Sequence, residues 1–174
     1  DNYLGEMLCK LAKVKKMRIW HDQTLQKQPW ANPTSWHLDN PKWSFYSKNS
    51  ISIWIALDDA TILNGCVFYL PKSHKLAKFD NDVRIGKKMD DLFELYPEFR
   101  KLDPVAAEMK AGDAGFHNGL IAHAAGANMT NNTRAAMTCA FMPEGSTYNG
   151  QQNILSESYV EKLKIGDLLN DSSI

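Results

Sequence analysis

The sequence predicts a mainly β domain with flanking helices, built as a sandwich or barrel of jelly-roll type. Short segments of alternating apolar and polar residues recur along the chain, and turn residues separate them about every eight to twelve positions. Helical spacing of apolar residues is confined to a few places. With 174 residues the chain is long enough for one core and hardly for two, so we expect a single domain over 1–174.

The first half of the chain contains one helix and several strands. Residues 3–15 show helical spacing, and Met17 to Leu25 is typical of a strand. Residues 50–57 alternate between two faces. One face carries Ile51, Ile53, Ile55 and Leu57, and the other carries Ser50, Ser52, Trp54 and Ala56. The Asn64-Gly65 pair predicts a turn before a partner strand at 66–70.

The second half begins with a change of character at residues 72–104. Apolar residues at helical spacing among charged neighbours predict one amphipathic helix, formed around Met89, Leu92, Phe93, Tyr96 and Phe99. We expect this segment to be a lid-like insertion that carries part of the substrate specificity. The strand pattern resumes at 105–109, 113–117, 120–124 and 134–142, and a closing helix is predicted at 156–164.

The composition argues against several classes of partner. The 20 basic residues balance the 20 acidic ones, and no basic stripe indicates nucleic acid or an anionic membrane surface. No apolar run reaches membrane length. Three widely spaced cysteines without a Cys-x-x-Cys pair predict reduced thiols in an intracellular, cytoplasmic protein. The expected partner is a small molecule, and the sequence does not indicate an oligomeric state.

His37 and Asp39 are the first candidate metal ligands. If Trp36 to Asp39 is extended, both side chains point to the same face. Together with a second histidine they would form the two-histidine, one-carboxylate face that leaves positions open on Fe(II). A His-x-Asp pair also arises often by chance, and a surface histidine beside an aspartate is the simpler alternative.

Arg134 begins a strand pattern whose small-residue face continues through Ala136, Thr138 and Ala140. This arrangement predicts a cavity with an anion-binding end, because a guanidinium group matches a carboxylate bidentately. A salt bridge to a nearby acid is the alternative. Trp54, among small residues, would form a wall of the same cavity, or else a core tryptophan.

Three segments occur in an order that resembles the phytanoyl-CoA dioxygenase family. The first is RIWHDQTLQKQPWANPTSWHLD at 18–39, which ends in WHLD at 36–39. The second is WIALDDATILNGCVFYLPKSHK at 54–75, and the third is GDAGFHNGLIAHAAGANMTNNTR at 112–134. His123 lies eleven residues before Arg134, as a distal histidine precedes an arginine in that family. On its own, within small apolar neighbours, His123 would be more typical of a core residue. The resemblance covers about residues 18–145.

The resemblance implies a double-stranded β-helix of the jelly-roll, cupin-like kind, in which His37, Asp39 and His123 bind Fe(II). It implies that 2-oxoglutarate chelates the iron, that Arg134 pairs with its distal carboxylate, and that Trp54 lines the same pocket. Lys27 and Thr138 are further candidates for binding this co-substrate. The implied reaction uses O2 and 2-oxoglutarate to hydroxylate a small organic substrate, with release of succinate and CO2.

Two departures from the family keep alternatives open. Ala125 stands where many relatives have a serine whose hydroxyl helps to bind the co-substrate. Relatives are also longer at the N-terminus, so missing upstream residues are one interpretation of this chain. A catalytically silent binding protein and a metal-dependent, non-oxygenase cupin are therefore the alternatives. Halogenation is disfavoured because Asp39 is present. Softer candidates are His21, Gln23, His74, His117 and Asn128.

Overall fold

The computed structural model describes residues 2–81, 83–86 and 88–169, in which two four-stranded antiparallel sheets face each other. The strands are β1 (Met17–Lys27), β2 (Thr34–His37), β3 (Ile51–Ala56), β4 (Val67–Tyr69), β5 (Val105–Ala107), β6 (Ala114–Asn118), β7 (His123–Ala125) and β8 (Arg134–Pro143). The first sheet has the order β1-β8-β3-β6, and the second has the order β2-β7-β4-β5. The predicted jelly roll is confirmed.

Short helices flank the sheets. The α-helices are α1 (Asn2–Ala12), α2 (Asp91–Leu95) and α3 (Glu157–Val160), and 3-10 helices cover Asn40–Lys42, Ser73–Lys75 and Pro97–Lys101. Helix α1 packs its buried Leu8 and Ala12 against Ile51 and Ile53 of β3. The isoleucine face of the predicted strand is thus the outer, apolar face, and the face with Ser52 and Trp54 turns towards the other sheet.

Several predicted bounds need correction. Strand β7 begins at His123 rather than at residue 120, and the predicted closing helix is reduced to α3. The amphipathic helix predicted around residues 89–99 ends at Leu95, and Tyr96 leaves the helical region with φ −126° and ψ 76°. Pro97 explains this break, because a proline ring disfavours the α conformation of the residue before it.

The predicted insertion at 72–104 includes Asp82 and Lys87, which lie outside the described residues. Its apolar helical side chains pack behind strand β2 in a buried cluster, which contains Leu38, Leu70, Leu92, Tyr96, Phe99 and Ala122. Leu38 lies between the two candidate ligands His37 and Asp39 in sequence. Part of the insertion therefore supports the segment that carries them.

Cys9, Cys66 and Cys139 are unpaired. Within the described part of the chain, none of the helices has the length and apolar character needed to cross a membrane.

Candidate metal centre and its cavity

A cavity of about 530 Å³ lies between the two sheets. The first sheet forms the floor of this cavity, and its paired residues lie in rows that run across the strands. One row contains His21, Ala140, Ser52 and His117, which pair in that order across β1, β8, β3 and β6. The next row contains Gln23, Thr138 and Trp54, and Lys27 pairs with Arg134 at the far end. The polar side chains of these rows all line the cavity.

The three predicted metal ligands meet at one end of this cavity. His37 ends β2 and His123 begins β7, and the two are directly paired across the second sheet. The Asp39 Oδ1 atom lies 3.9 Å from His37 Nε2 and 3.6 Å from His123 Nε2. One ligand atom from each residue lies within 4.8 Å of the others. Metal–donor bonds of about 2.1 Å would require these atoms to move closer together when an ion binds.

The backbone at Asp39 differs from the prediction. Strand β2 stops at His37, and Asp39 has helical angles (φ −84°, ψ −55°) at the start of a 3-10 helix with Pro41 in its first turn. The alternation expected for an extended Trp36 to Asp39 segment is therefore wrong. A turn, rather than a strand, brings the carboxylate beside the imidazoles, and Asp39 and Asn40 both donate their backbone N–H to the Gly119 carbonyl.

Both histidines are held with Nε2 towards Asp39. The Nδ1 of His37 lies 2.8 Å from the Ser35 carbonyl oxygen, and the Nδ1 of His123 lies 3.0 Å from the Ile121 carbonyl oxygen. A carbonyl can only accept, so each Nδ1 carries the proton and each Nε2 presents a lone pair. Such contacts orient histidine ligands in metal sites.

Electrostatics favour the protonation states that a metal requires. Burial lowers the pKa of His37, and burial together with the charge of His37 lowers the pKa of His123 to about 3. Burial opposes ionisation of Asp39, but the neighbouring His123 and the hydrogen bond from His117 hold the pKa of this carboxyl well below its usual range. At neutral pH the site therefore presents two neutral imidazoles and one carboxylate.

The second oxygen of Asp39 has partners of its own. The Ser52 hydroxyl donates to Oδ2 at 3.1 Å, and His117 Nε2 lies 3.3 Å from the same atom. On its other side, His117 Nδ1 lies 3.2 Å from the Tyr69 hydroxyl. The sequence predicted that His117 either supports a metal ligand or has a purely structural role, and sequence reasoning missed Tyr69. The period-two pattern that places Tyr69 on the same strand face as Val67 was the available signal.

Arg134 and Lys27 form the other end of the cavity. Arg134 is only 3% exposed, its Nη2 donates to the Gly65 carbonyl at 2.8 Å, and its guanidinium carbon lies 5.1 Å from the centre of the Trp54 ring. Nε and Nη1 are buried without a hydrogen-bond partner in the described part of the chain. Buried donors of this kind are costly, so they indicate that a carboxylate or similar anion belongs here.

The remaining candidates separate into two groups. His21 and Gln23 line the cavity, as does Thr138, whose hydroxyl donates to the Ile53 carbonyl at 3.0 Å. His74 is exposed and does not line the cavity. Asn128 is buried, and its side-chain amide donates to the carbonyls of Lys27, Gln28 and Asn132, so its role is structural. Sequence reasoning also missed Thr34, Trp43 and Ile85, which line the cavity from outside the predicted strands and faces.

Comparison with known proteins gives a consistent picture. The family model described as phytanoyl-CoA dioxygenase (PhyH) matches residues 1–136. "Dioxygenase lolE1" of Epichloe uncinata is 34% identical over 131 residues, which is 75% of this chain and 48% of that protein. The Arabidopsis thaliana protein named "Phytanoyl-CoA dioxygenase" is 31% identical over 100 residues, which is 58% of this chain and 35% of that one.

A solved structure shows the same fold over nearly the whole chain. The non-heme alpha ketoglutarate dependent carbocyclase SnoK from nogalamycin biosynthesis superimposes with a TM-score of 0.79 and 26% identity, covering 97% of this chain and 64% of that one. The chain spans about half the length, or less, of these two curated relatives.

Proposed function

Because this chain belongs to the phytanoyl-CoA dioxygenase family, we propose that it is a non-haem Fe(II)- and 2-oxoglutarate-dependent dioxygenase that hydroxylates a small organic substrate. His37, Asp39 and His123 would hold the iron. When bound, the iron supplies O2 activation coupled to conversion of 2-oxoglutarate to succinate and CO2. The solved relative with this fold is named as alpha ketoglutarate dependent, which supports the choice of co-substrate.

The observation that carries the proposal is the pairing of two features in one cavity. The candidate ligand group lies at one end, and a buried arginine lies at the other, with two nitrogens that have no partner among the described residues. A dicarboxylate can span such a cavity, with one end at the metal and the other at Arg134. Lys27 adds a second positive charge, and Trp54 provides a flat wall under the guanidinium group.

Thr34 can supply the side-chain hydroxyl that this chain lacks at Ala125. These two residues are directly paired across β2 and β7, and both line the cavity. The threonine hydroxyl can therefore supply the hydrogen bond to the co-substrate that a serine at 125 would make. Because Thr34 can take this role, Ala125 is a weaker argument for a catalytically silent binding protein.

The substrate would occupy the part of the cavity that the dicarboxylate leaves free. His21 and Trp43 have their rings 6.3 Å apart in an edge-to-face arrangement, and Ala140 leaves space between His21 and Ser52. Ile85, from the predicted lid-like insertion, borders the same cavity. These surroundings favour a compact small molecule as the substrate.

The three free thiols support a reducing compartment such as the cytoplasm.

The first experiment mixes anaerobic protein with Fe(II) and 2-oxoglutarate and looks for the weak visible charge-transfer band of the chelate. We expect a band, and we expect Arg134→Ala to weaken it. Succinate formation under air should depend on Fe(II) and be abolished in Asp39→Ala. Iron binding without a band would indicate a metal held for another purpose, and failure to bind iron would favour a binding protein.

A further inference from the structure

We propose that Ser52, His117 and Tyr69 form a positioning network that presents one oxygen of Asp39 to the metal and holds the other away from it. The inference rests on the proposed function of the site. It concerns the orientation of a ligand, so the three residues are positioning residues rather than catalytic ones.

The two oxygens of Asp39 have different surroundings. Oδ1 faces the Nε2 atoms of His37 and His123, at 3.9 Å and 3.6 Å. Oδ2 accepts a hydrogen bond from the Ser52 hydroxyl at 3.1 Å and lies 3.3 Å from His117 Nε2. Two donors on one oxygen engage the lone pairs that would otherwise reach the metal.

Tyr69 contacts the His117 ring on the side opposite Asp39. A carboxylate oxygen can only accept, so His117 Nε2 is the donor in its contact with Asp39 Oδ2. The Tyr69 hydroxyl lies 3.2 Å from His117 Nδ1, within hydrogen-bond distance, and so fixes the ring from its other side. The chain of contacts therefore runs from Tyr69 through His117 to Oδ2.

The sheet holds this network in place. Ser52 and His117 are directly paired residues of β3 and β6, and their side chains reach Asp39 from neighbouring positions in one row. Both are nearly buried, at 2% and 7% exposure. Tyr69 comes from the opposite sheet, in β4. Because the donors come from paired strands, Asp39 cannot rotate without breaking both contacts.

One-oxygen ligation matters for the chemistry of the site. Two histidines and one carboxylate oxygen would hold a metal from one side and leave positions open to other ligands. A second oxygen from Asp39 would take one of them. The network would therefore keep the space that 2-oxoglutarate and O2 require.

Cobalt(II) binding to the metal-free protein tests this inference without turnover. The variants are Ser52→Ala and His117→Leu, which each remove one donor, and Tyr69→Phe, which removes the hydroxyl. His117→Gln is the conservative variant, because its amide can still donate to Oδ2. His74→Leu is the matched control, since His74 is exposed and does not line the cavity.

We expect Ser52→Ala and His117→Leu to weaken Co(II) binding by about tenfold to a hundredfold and to change its visible ligand-field spectrum. Tyr69→Phe should weaken it by about twofold to tenfold, as for one neutral hydrogen bond. His117→Gln should retain most of the affinity and the original spectrum, and His74→Leu should match the parent protein.

The outcomes separate this inference from the proposed function. If the parent protein binds Co(II) but Ser52→Ala and His117→Leu keep its affinity and spectrum, the positioning network is wrong and the proposed function stands. If the parent protein does not bind Co(II), the metal site and the network fail together. Ser52→Ala removes a single oxygen atom, so it decides the question should His117→Leu not fold.

Discussion

Lys27 and Arg134 face each other as directly paired residues of β1 and β8, and neither forms an ion pair with a carboxylate of the described residues. Burial and the charge of Arg134 lower the pKa of Lys27, and burial lowers the pKa of Arg134. The Lys27 ammonium instead donates to the Asn32 carbonyl at 2.9 Å. A buried cation and a half-buried one side by side are unfavourable until an anion joins them, which is the role that we propose for 2-oxoglutarate.

Replacing Arg134 should therefore weaken co-substrate binding more than metal binding. We expect Arg134→Ala to raise the dissociation constant of 2-oxoglutarate by about one to two orders of magnitude, because hydrogen bonds to a charged group are lost. Arg134→Lys should not restore it, since an ammonium lacks the planar fork. Titration of the anaerobic Fe(II) protein, followed by the charge-transfer band, measures the constant. Arg18→Ala, at a partly exposed ion pair with Glu144, is the matched control; equal affinities in both variants would contradict the assignment.

Thr34→Val tests the compensation for Ala125. Valine keeps the shape of threonine and removes the hydroxyl, so we expect the dissociation constant of 2-oxoglutarate to rise by about twofold to tenfold. The double variant Thr34→Val with Ala125→Ser should recover the lost affinity, because the two positions are paired across β2 and β7. The same titration measures both variants. An unchanged constant in Thr34→Val would show that its hydroxyl does not contact the co-substrate.

Gly65→Ala should destabilise the fold near the arginine end of the cavity. Gly65 has φ +85°, and a Cβ there would lie 2.5 Å from the Gly126 carbonyl oxygen and 2.6 Å from Lys27 Cδ. We expect the free energy of unfolding to fall by about 2–5 kcal/mol from backbone strain and overlap together.

Gly112→Ala is the control for the backbone term alone. Gly112 has φ +94° but no atom within 4 Å of the added Cβ. For Gly112→Ala the free energy of unfolding should fall by about 1–2 kcal/mol. Urea unfolding measures both variants, and equal losses would mean that the contacts at Gly65 relax without cost.

The metal-free protein should lose stability in mild acid. The folded chain keeps His37 and His123 neutral below their ordinary pKa of 6.5, and His123 remains so down to about 3. Between pH 6.5 and 3 these two histidines bind protons in the unfolded chain but not in the folded chain, so the free energy of unfolding falls as the pH drops through this range. Above pH 6.5 they are neutral in both states and do not change it.

The expected slope is at most about 1.4 kcal/mol per pH unit for each histidine. Urea unfolding in the presence of a chelator, at a series of pH values, measures it. His123→Gln should reduce the slope by up to half. A free energy of unfolding that stays constant between pH 6.5 and 4 would contradict the neutral, buried state of these rings.

Local pattern was enough to predict most strands of this protein. The alternation of residues 50–57 predicted both an apolar outer face and an inner face with Ser52 and Trp54, and the structure has both. A period of two is a property of any extended backbone, so it can be recognised without knowing what the strand packs against. The order of His37, Asp39, His123 and Arg134 predicted the site for a different reason, namely resemblance to a family.

The sequence by itself thus determined the strands, their inner faces and the candidate ligand set, because these depend on neighbouring residues or on motif order. Only the tertiary structure decided that Asp39 reaches the imidazoles from a turn, that Ser52 and His117 engage its second oxygen, and that Thr34 lies opposite Ala125. These relationships depend on strand register and on turns that join distant segments. A one-residue shift in register would change every such pair and leave the local pattern of each strand as it is.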